Sequence, residues 1–201
     1  MTFVFFHEFA HVFRGHLGYL GSVKLDGDEV LEMAASALSP AQVRARYLAE
    51  CDADTWGGYL SAPAVWQTID TLIERQDIRQ HPALAEEAIA LAGFASAVLF
   101  RIMESTGRPT ALYPPHVVRS AIVATQMMIG LEELERKSRI LGAAPSFQAI
   151  FIAGMAPGNE LAKHLRLAEA AIDAQAAVET WLKVDAPAVN ALTEILKPFL
   201  P

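Results

Sequence analysis

Apolar residues recur along most of this chain at three- and four-residue intervals, and strict alternation is rare, so helices are the predicted element nearly throughout. The first runs from Thr2 to Leu17 and is broken by Gly15, Gly18 and Gly21. Tyr19 to Leu25 reads as a short extended piece, turned by Asp26-Gly27-Asp28, and Glu29 to Leu38 as a short helix. Ser39-Pro40 is a start signal, a capping residue with proline at the first helical position. That helix runs to about Leu60, with a loosening at Gly57-Gly58, and Ala64 to Gln76 forms another. His81-Pro82 restarts the chain into Ala83 to Ser105, and Gly107 to Pro115 is a loop. A helix then opens at Pro114 or Pro115 and reaches about Ile140. Gly142 to Pro145 is a turn before a short helix, Ser146 to Met155, closed by Pro157-Gly158. Asn159 caps the next helix, to about Leu182, and Asp185 with Pro187 opens the last. The expected fold is mainly α with little or no β-sheet.

Composition narrows the class. A chain of 201 residues suits one domain, and 53% hydrophobic against 19% charged residues favours a buried core over disorder. The net charge of −7, with scattered basic residues, offers no basic stripe for nucleic acid. The single cysteine, Cys51, excludes an internal disulfide framework and a cysteine-built zinc site. With no signal peptide recognisable, it fits a reducing, cytoplasmic setting. The longest apolar runs, Ala88 to Phe100, Ala121 to Leu131 and Phe147 to Pro157, fall short of the roughly 18–20 residues of a bilayer span, so no span is expected. A homo-oligomer is compatible with so apolar a chain.

The chemistry concentrates in the first predicted helix. FVFFHEFAHVFRGHL contains H-E-x-x-H as His7, Glu8, Phe9, Ala10 and His11. Residues four apart on a helix lie about 40° apart around its axis, so His7 and His11 share a face and can grip one Zn²⁺. Glu8, about 100° round from His7, is placed to touch a water beside the metal without binding the metal, as a general base must.

A catalytic zinc usually takes three protein ligands. His16 lies five residues beyond His11, about 140° round a continuous helix, and reads as a partly exposed helix-end residue. The stretch YLAECDADTWGGYL offers more. Glu50 and Asp54 share one helical face, so Glu50 can coordinate the ion while Asp54 accepts a hydrogen bond from the free nitrogen of a ligating histidine. Ala49 and Ala53 keep the neighbouring positions small enough for two helices to approach.

HEFAHVFRGHL followed by ECDAD resembles the gluzincin metallopeptidases, whose H-E-x-x-H helix supplies two ligands and the base and whose E-x-x-x-D helix supplies the third ligand. The E-x-x-A-D form looks like that of the peptidases related to the heat-shock membrane protease and the prenyl-protein protease, and like that of the phage-exclusion peptidase family. YPPHVVRS, Tyr113 to Ser120, is similar to a proline-and-arginine stretch of those families. The resemblance spans roughly residues 3–60 and 113–120. It implies His7, His11 and Glu50 as zinc ligands, Glu8 as base, Asp54 behind a histidine, and Tyr113, His116 and Arg119 as oxyanion-stabilising candidates. The substrate would be a protein or peptide. In those peptidases a sheet precedes the H-E-x-x-H helix and its edge strand binds substrate; here six residues precede His7, and Tyr19 to Leu25 is the stretch that could substitute.

The expected layout is one domain, 1–201, with the metal-site helices in 1–60, a helical bundle in 61–201, and no assignment from residue 142 on. Other readings stay open. One is a metal-binding or protein-interaction domain without catalysis, or a truncated peptidase. A di-metal carboxylate protein needs a second Glu-x-x-His, which is lacking: Glu160 and His164 are four apart. A partner-binding bundle with unliganded histidines would bury them at a cost.

Overall fold

The computed structural model describes residues 2–23, 38–76, 83–106, 111–138, 147–165, 167 and 174–201. Among these, regular structure is entirely helical: α1 (Thr2–Phe13), α2 (His16–Ser22), α3 (Pro40–Gln76), α4 (Ala83–Thr106), α5 (His116–Ser138), α6 (Phe147–His164), α7 (Ala174–Thr180) and α8 (Ala186–Leu196). The Asp26–Asp28 turn, most of the Glu29–Leu38 helix, His81-Pro82 and the Gly142–Pro145 turn lie outside the described residues.

Local signals set several helix starts. Ser39 and Gln42 form a capping box: the Gln42 amide donates to Ser39 Oγ at 3.3 Å, and the Ser39 amide donates to Gln42 Oε1 at 2.9 Å. The carbonyl of Pro115 accepts the first bonds of α5, from the Val118 and Arg119 amides at 2.8 and 3.0 Å.

Elsewhere packing overrides local signals. Helix α3 is one rod of 37 residues rather than two, passing through both Gly57-Gly58 and Pro63. Proline within a helix costs a backbone hydrogen bond. Here Ala62, Trp66 and Ile69, on both sides of Pro63, lie in one buried cluster with Ile89, Phe100, Val123, Met127, Leu131 and Phe151, which holds the rod together. The glycine pair is a contact point, not a loose joint. A Cβ on Gly57 would lie 3.1 Å from the backbone of His7, and one on Gly58 would lie 2.8 Å from the Val123 carbonyl oxygen. The bare backbone thus lets α1 close on one side of α3 and α5 on the other.

Helix α6 likewise continues through Pro157-Gly158 instead of ending there, because Phe151 and Ala162 bury on either side. Asn159 does not cap a helix; its Oδ1 accepts from Arg101 Nε at 3.4 Å. Asp185 does stand at the start of the last helix, with Pro187 in its first turn, but its side chain makes no capping hydrogen bond. The backbone runs from α7 through a π turn (Trp181–Asp185) into α8. The Asp185 carboxylate is taken by α3, accepting from Arg44 Nη1 at 2.6 Å and from the Tyr47 hydroxyl at 3.0 Å. The part of the chain without a sequence assignment therefore packs on the rest, α6 against α4 and α8 against α3.

The apolar stretch of α4 extends beyond the unbroken run Ala88 to Phe100, because a helical window tolerates the few charges at its ends. Ala83–Ser105 has a mean hydropathy of 1.7 over 18 residues and is long and apolar enough to cross a membrane by length and composition. Its Ala85, Ile89, Ala97 and Phe100 are buried against the neighbouring helices.

Candidate metal centre

Helix α1 lies against α3 with Phe3, His7 and Ala10 on its buried face. The close approach at Gly57 brings the His7 ring over the turn of α3 that carries Glu50 and Asp54. Three ligand-type atoms meet there, one each from His7, His11 and Glu50, all within 4.8 Å of one another. The two Nε2 atoms are 3.3 Å apart, His7 Nε2 is 3.4 Å from Glu50 Oε2, and His11 Nε2 is 3.8 Å from Glu50 Oε1. A tetrahedral ion with arms of about 2.0–2.1 Å needs donor separations of about 3.3–3.4 Å. The donor set, two imidazoles and a carboxylate, suits zinc, and the separations from His7 match this spacing, while His11 stands 3.8 Å from the other Glu50 oxygen.

Each imidazole is backed by an acid and an arginine. His7 Nδ1 approaches Asp54 Oδ1 at 2.9 Å, off the ring N–H direction, so the contact is electrostatic more than a well-aligned hydrogen bond. Asp54 is fully buried and gripped by Arg119 through Nε (2.7 Å) and Nη2 (2.8 Å). The other arm departs from expectation. His16 is not a partly exposed helix-end residue; it is 0% exposed. Helix α1 stops at Phe13, and Gly15 takes a left-handed φ of 73°, so α2 sets off in a new direction. Tyr19 to Ser22 is accordingly helical, not extended. The reversal aims His16 Nδ1 at His11 Nδ1, 3.1 Å away, and His16 Nε2 at Asp52 Oδ2, 3.0 Å away. Arg14 donates to Asp52 through Nε at 2.9 Å and Nη2 at 3.4 Å, and also to Thr193 Oγ1 on α8 at 3.0 Å.

The electrostatics follow from these contacts. Burial opposes charge on His7, but Asp54 and Glu50 outweigh it and push the group up to about 9. His11 is pulled down to about 4, by burial first and then by the neighbouring His16 and His7, against the pull of Glu50. Burial works against ionised Glu50, yet His7 and His11 keep its carboxyl below the usual range. Asp54 is lowered against its burial chiefly by Arg119, and Asp52 against its burial by His16 and Arg14. Between the two facing Nε2 atoms of the metal-free protein, His7 therefore carries the proton and His11 accepts it. Burial pushes the Cys51 thiol up to about 12, and the residue packs with Val118, Ile122 and Val189.

Glu8 is exposed, about 100° round α1 from His7. Beside it runs a row of exposed aromatics: Phe5 stacks on Phe9 at 6.3 Å and Phe9 on Phe13 at 5.9 Å. Tyr113, His116 and Arg119 share no hydrogen bond with His7, His11 or Glu50 among the described contacts. Arg119 reaches the centre through Asp54. The Tyr113 oxygen accepts from Arg46 Nη2 at 2.7 Å, and its ring faces the Arg46 and Arg119 guanidinium groups at 5.3 and 6.0 Å. His116 lines a separate, mostly apolar cavity of about 710 Å³ between α4, α5 and α6.

Sequence reasoning missed His16, Asp52 and Arg14 as a connected set. A signal was available in Arg14, a lone cation ending an apolar run, and in Asp52, a third acid facing away from Glu50 and Asp54, but their partners depend on the reversal at Gly15. No family model matches the chain, and neither a curated protein nor a solved structure does, so the likeness to gluzincin peptidases rests on its motif residues.

Proposed function

We propose that the protein is a zinc-dependent peptide hydrolase, a metalloendopeptidase, with His7, His11 and Glu50 holding the ion. The observation that carries this reading is the convergence of two imidazoles and a carboxylate, their ligand atoms all within 4.8 Å of one another, with an exposed glutamate next to His7 in the chain. When bound, zinc would supply Lewis acidity, acidifying water and drawing charge from a carbonyl. Glu8 takes the proton of the attacking water on its carboxylate and returns it to the nitrogen of the leaving amine. Asp54, held by Arg119, orients the His7 ring by facing its Nδ1. Arg119, with two nitrogens committed to Asp54, acts as that brace and not as a donor to substrate. The Tyr113 oxygen accepts from Arg46, which leaves its O–H to donate to a carbonyl oxygen. The aromatic row beside Glu8 offers apolar side chains of a peptide a surface to rest on.

A second reading, a metal-binding domain without catalysis, is favoured by one specific observation: no strand occurs among the described residues, so the substrate-binding edge of the resembled peptidases has no counterpart there. Elemental analysis and a peptide-library digestion with a chelator control separate the two. The peptidase reading expects about one zinc per chain, chelator-sensitive cleavage, and a Glu8→Gln protein that keeps zinc but loses about 10²–10⁴-fold in turnover. Zinc without cleavage in the wild type supports the second reading, and undiminished cleavage by Glu8→Gln removes Glu8 as the base.

A further inference from the structure

The two arms behind the imidazoles are built alike except at one place. His7 faces its acid, Asp54, directly; His11 reaches its acid, Asp52, through the His16 ring. A nitrogen-to-nitrogen contact of 3.1 Å requires one proton between the two atoms. If His11 Nε2 is turned to a cation it carries no proton, so the ring's proton sits on Nδ1. His16 then accepts at Nδ1 and holds its own proton on Nε2, where Asp52 Oδ2 accepts it. Every polar atom in the chain of contacts has one consistent assignment, and the burial of His16 keeps water from competing.

The geometry also explains why a ring is interposed. Asp52 is two residues from Glu50 and from Asp54, roughly 160° round α3 from each, so it projects toward α2 and α8 and not toward the ion. The imidazole spans the remaining gap.

We propose that His16 is a positioning residue of the metal centre, extending Asp52 to His11 and holding the His11 ring with Nε2 toward His7 and Glu50. The proposal rests on the metal-centre reading above. His16 is not a ligand, since both of its nitrogens are engaged away from the ion. Its place depends on Gly15, where any Cβ would collide with the Phe199 carbonyl, and on Arg14, which links Asp52 to Thr193. Residues near the C-terminal end of the described chain thus hold a corner on which the metal centre depends.

The test has two parts. In zinc-loaded wild-type protein with ¹⁵N-labelled histidine, the His11 proton should reside on Nδ1, with a scalar coupling across the hydrogen bond to His16 Nδ1. A His11 ring protonated on Nε2 overturns the proposal without any variant having to fold. In the second part, His16→Ala should lower zinc affinity about 10–100-fold in competition with a chromophoric chelator. It should also shift the visible spectrum of the cobalt-substituted protein. His16→Gln, whose carboxamide can accept on one side and donate on the other, should recover part of both. Ile89→Val, a core truncation remote from the relay, should leave both unchanged. A folded His16→Ala protein with wild-type affinity and spectrum overturns the relay while the metal centre stands. A wild type that binds no zinc overturns the metal-centre reading itself, and the relay with it.

Discussion

Arg119 and Asp54 form a two-point ion pair across the α3–α5 interface, at 2.7 and 2.8 Å, with both side chains sealed from solvent. Removing one member of such a pair strands the other as a buried charge. Arg119→Ala should therefore destabilise the protein by about 3–5 kcal/mol. Arg119→Lys restores the charge but not the planar fork and should recover only part of the loss. Guanidinium unfolding of the metal-free proteins measures both, and a loss under about 1 kcal/mol for Arg119→Ala would show that the pair does not hold Asp54 in place.

The two glycines of α3 should respond differently to alanine. At Gly58 a Cβ meets the Val123 carbonyl oxygen at 2.8 Å and its Cα at 3.0 Å, so backbone must move, at a cost of about 1–3 kcal/mol. At Gly57 the contacts, His7 N and Cα at 3.1 Å, are looser, and alanine's helical preference offsets about 1 kcal/mol. Gly57→Ala should thus change stability little but shift α1 enough to weaken zinc binding. Thermal melts and chelator competition on the two variants check the contrast; an unchanged zinc affinity in Gly57→Ala would refute it.

Zinc should stabilise the fold through its three donors. At about one hundred times its dissociation constant a ligand adds about 2.7 kcal/mol to stability. Wild-type protein should melt higher with zinc than with chelator, and Glu50→Ala should lose most of that difference. Equal shifts in the two proteins would place the ion elsewhere.

The histidine pair gives the metal-free protein opposing pH slopes. His7, raised from 6.5 to about 9, contributes stability that is fully present below pH 6.5 and fades as pH rises through about 9. His11, lowered from 6.5 to about 4, contributes stability present above pH 6.5 and lost as pH falls through about 4. Zinc held by His7 would displace its proton, so on the proposed reading binding at pH 7 should release close to one proton. Calorimetric titration in buffers of different ionisation enthalpy reads that number directly; a value near zero would mean His7 is neutral before the metal arrives.

How much of this was legible in the sequence depends on range. His7, His11, Glu50 and Asp54 were readable because helical spacing puts each pair on one face, and the structure brings the two pairs together. The capping box at Ser39 was readable because it is local. The expected break between Leu60 and Ala64 and the expected stop at Pro157 both failed because a proline's local cost is smaller than the gain from burying Trp66 and Ile69, or Phe151 and Ala162, on one continuous helix. His16 misled for the opposite reason. Its angle was calculated along a helix that a single left-handed residue interrupts, and what favours that residue is the Phe199 backbone, far along the chain.

Glu50, Asp52 and Asp54 fall within five consecutive positions of one uninterrupted rod: Glu50 faces the histidine pair, Asp52 anchors His16, and Asp54 joins His7 to Arg119. Such a site has no slack in its indexing. One residue inserted or deleted between Glu50 and Asp54 would swing everything on one side of the change by about 100°, parting candidate metal donor, His16 anchor and Arg119 counterion at a stroke. A change of length there disrupts all three contacts together, whereas a side-chain substitution touches one.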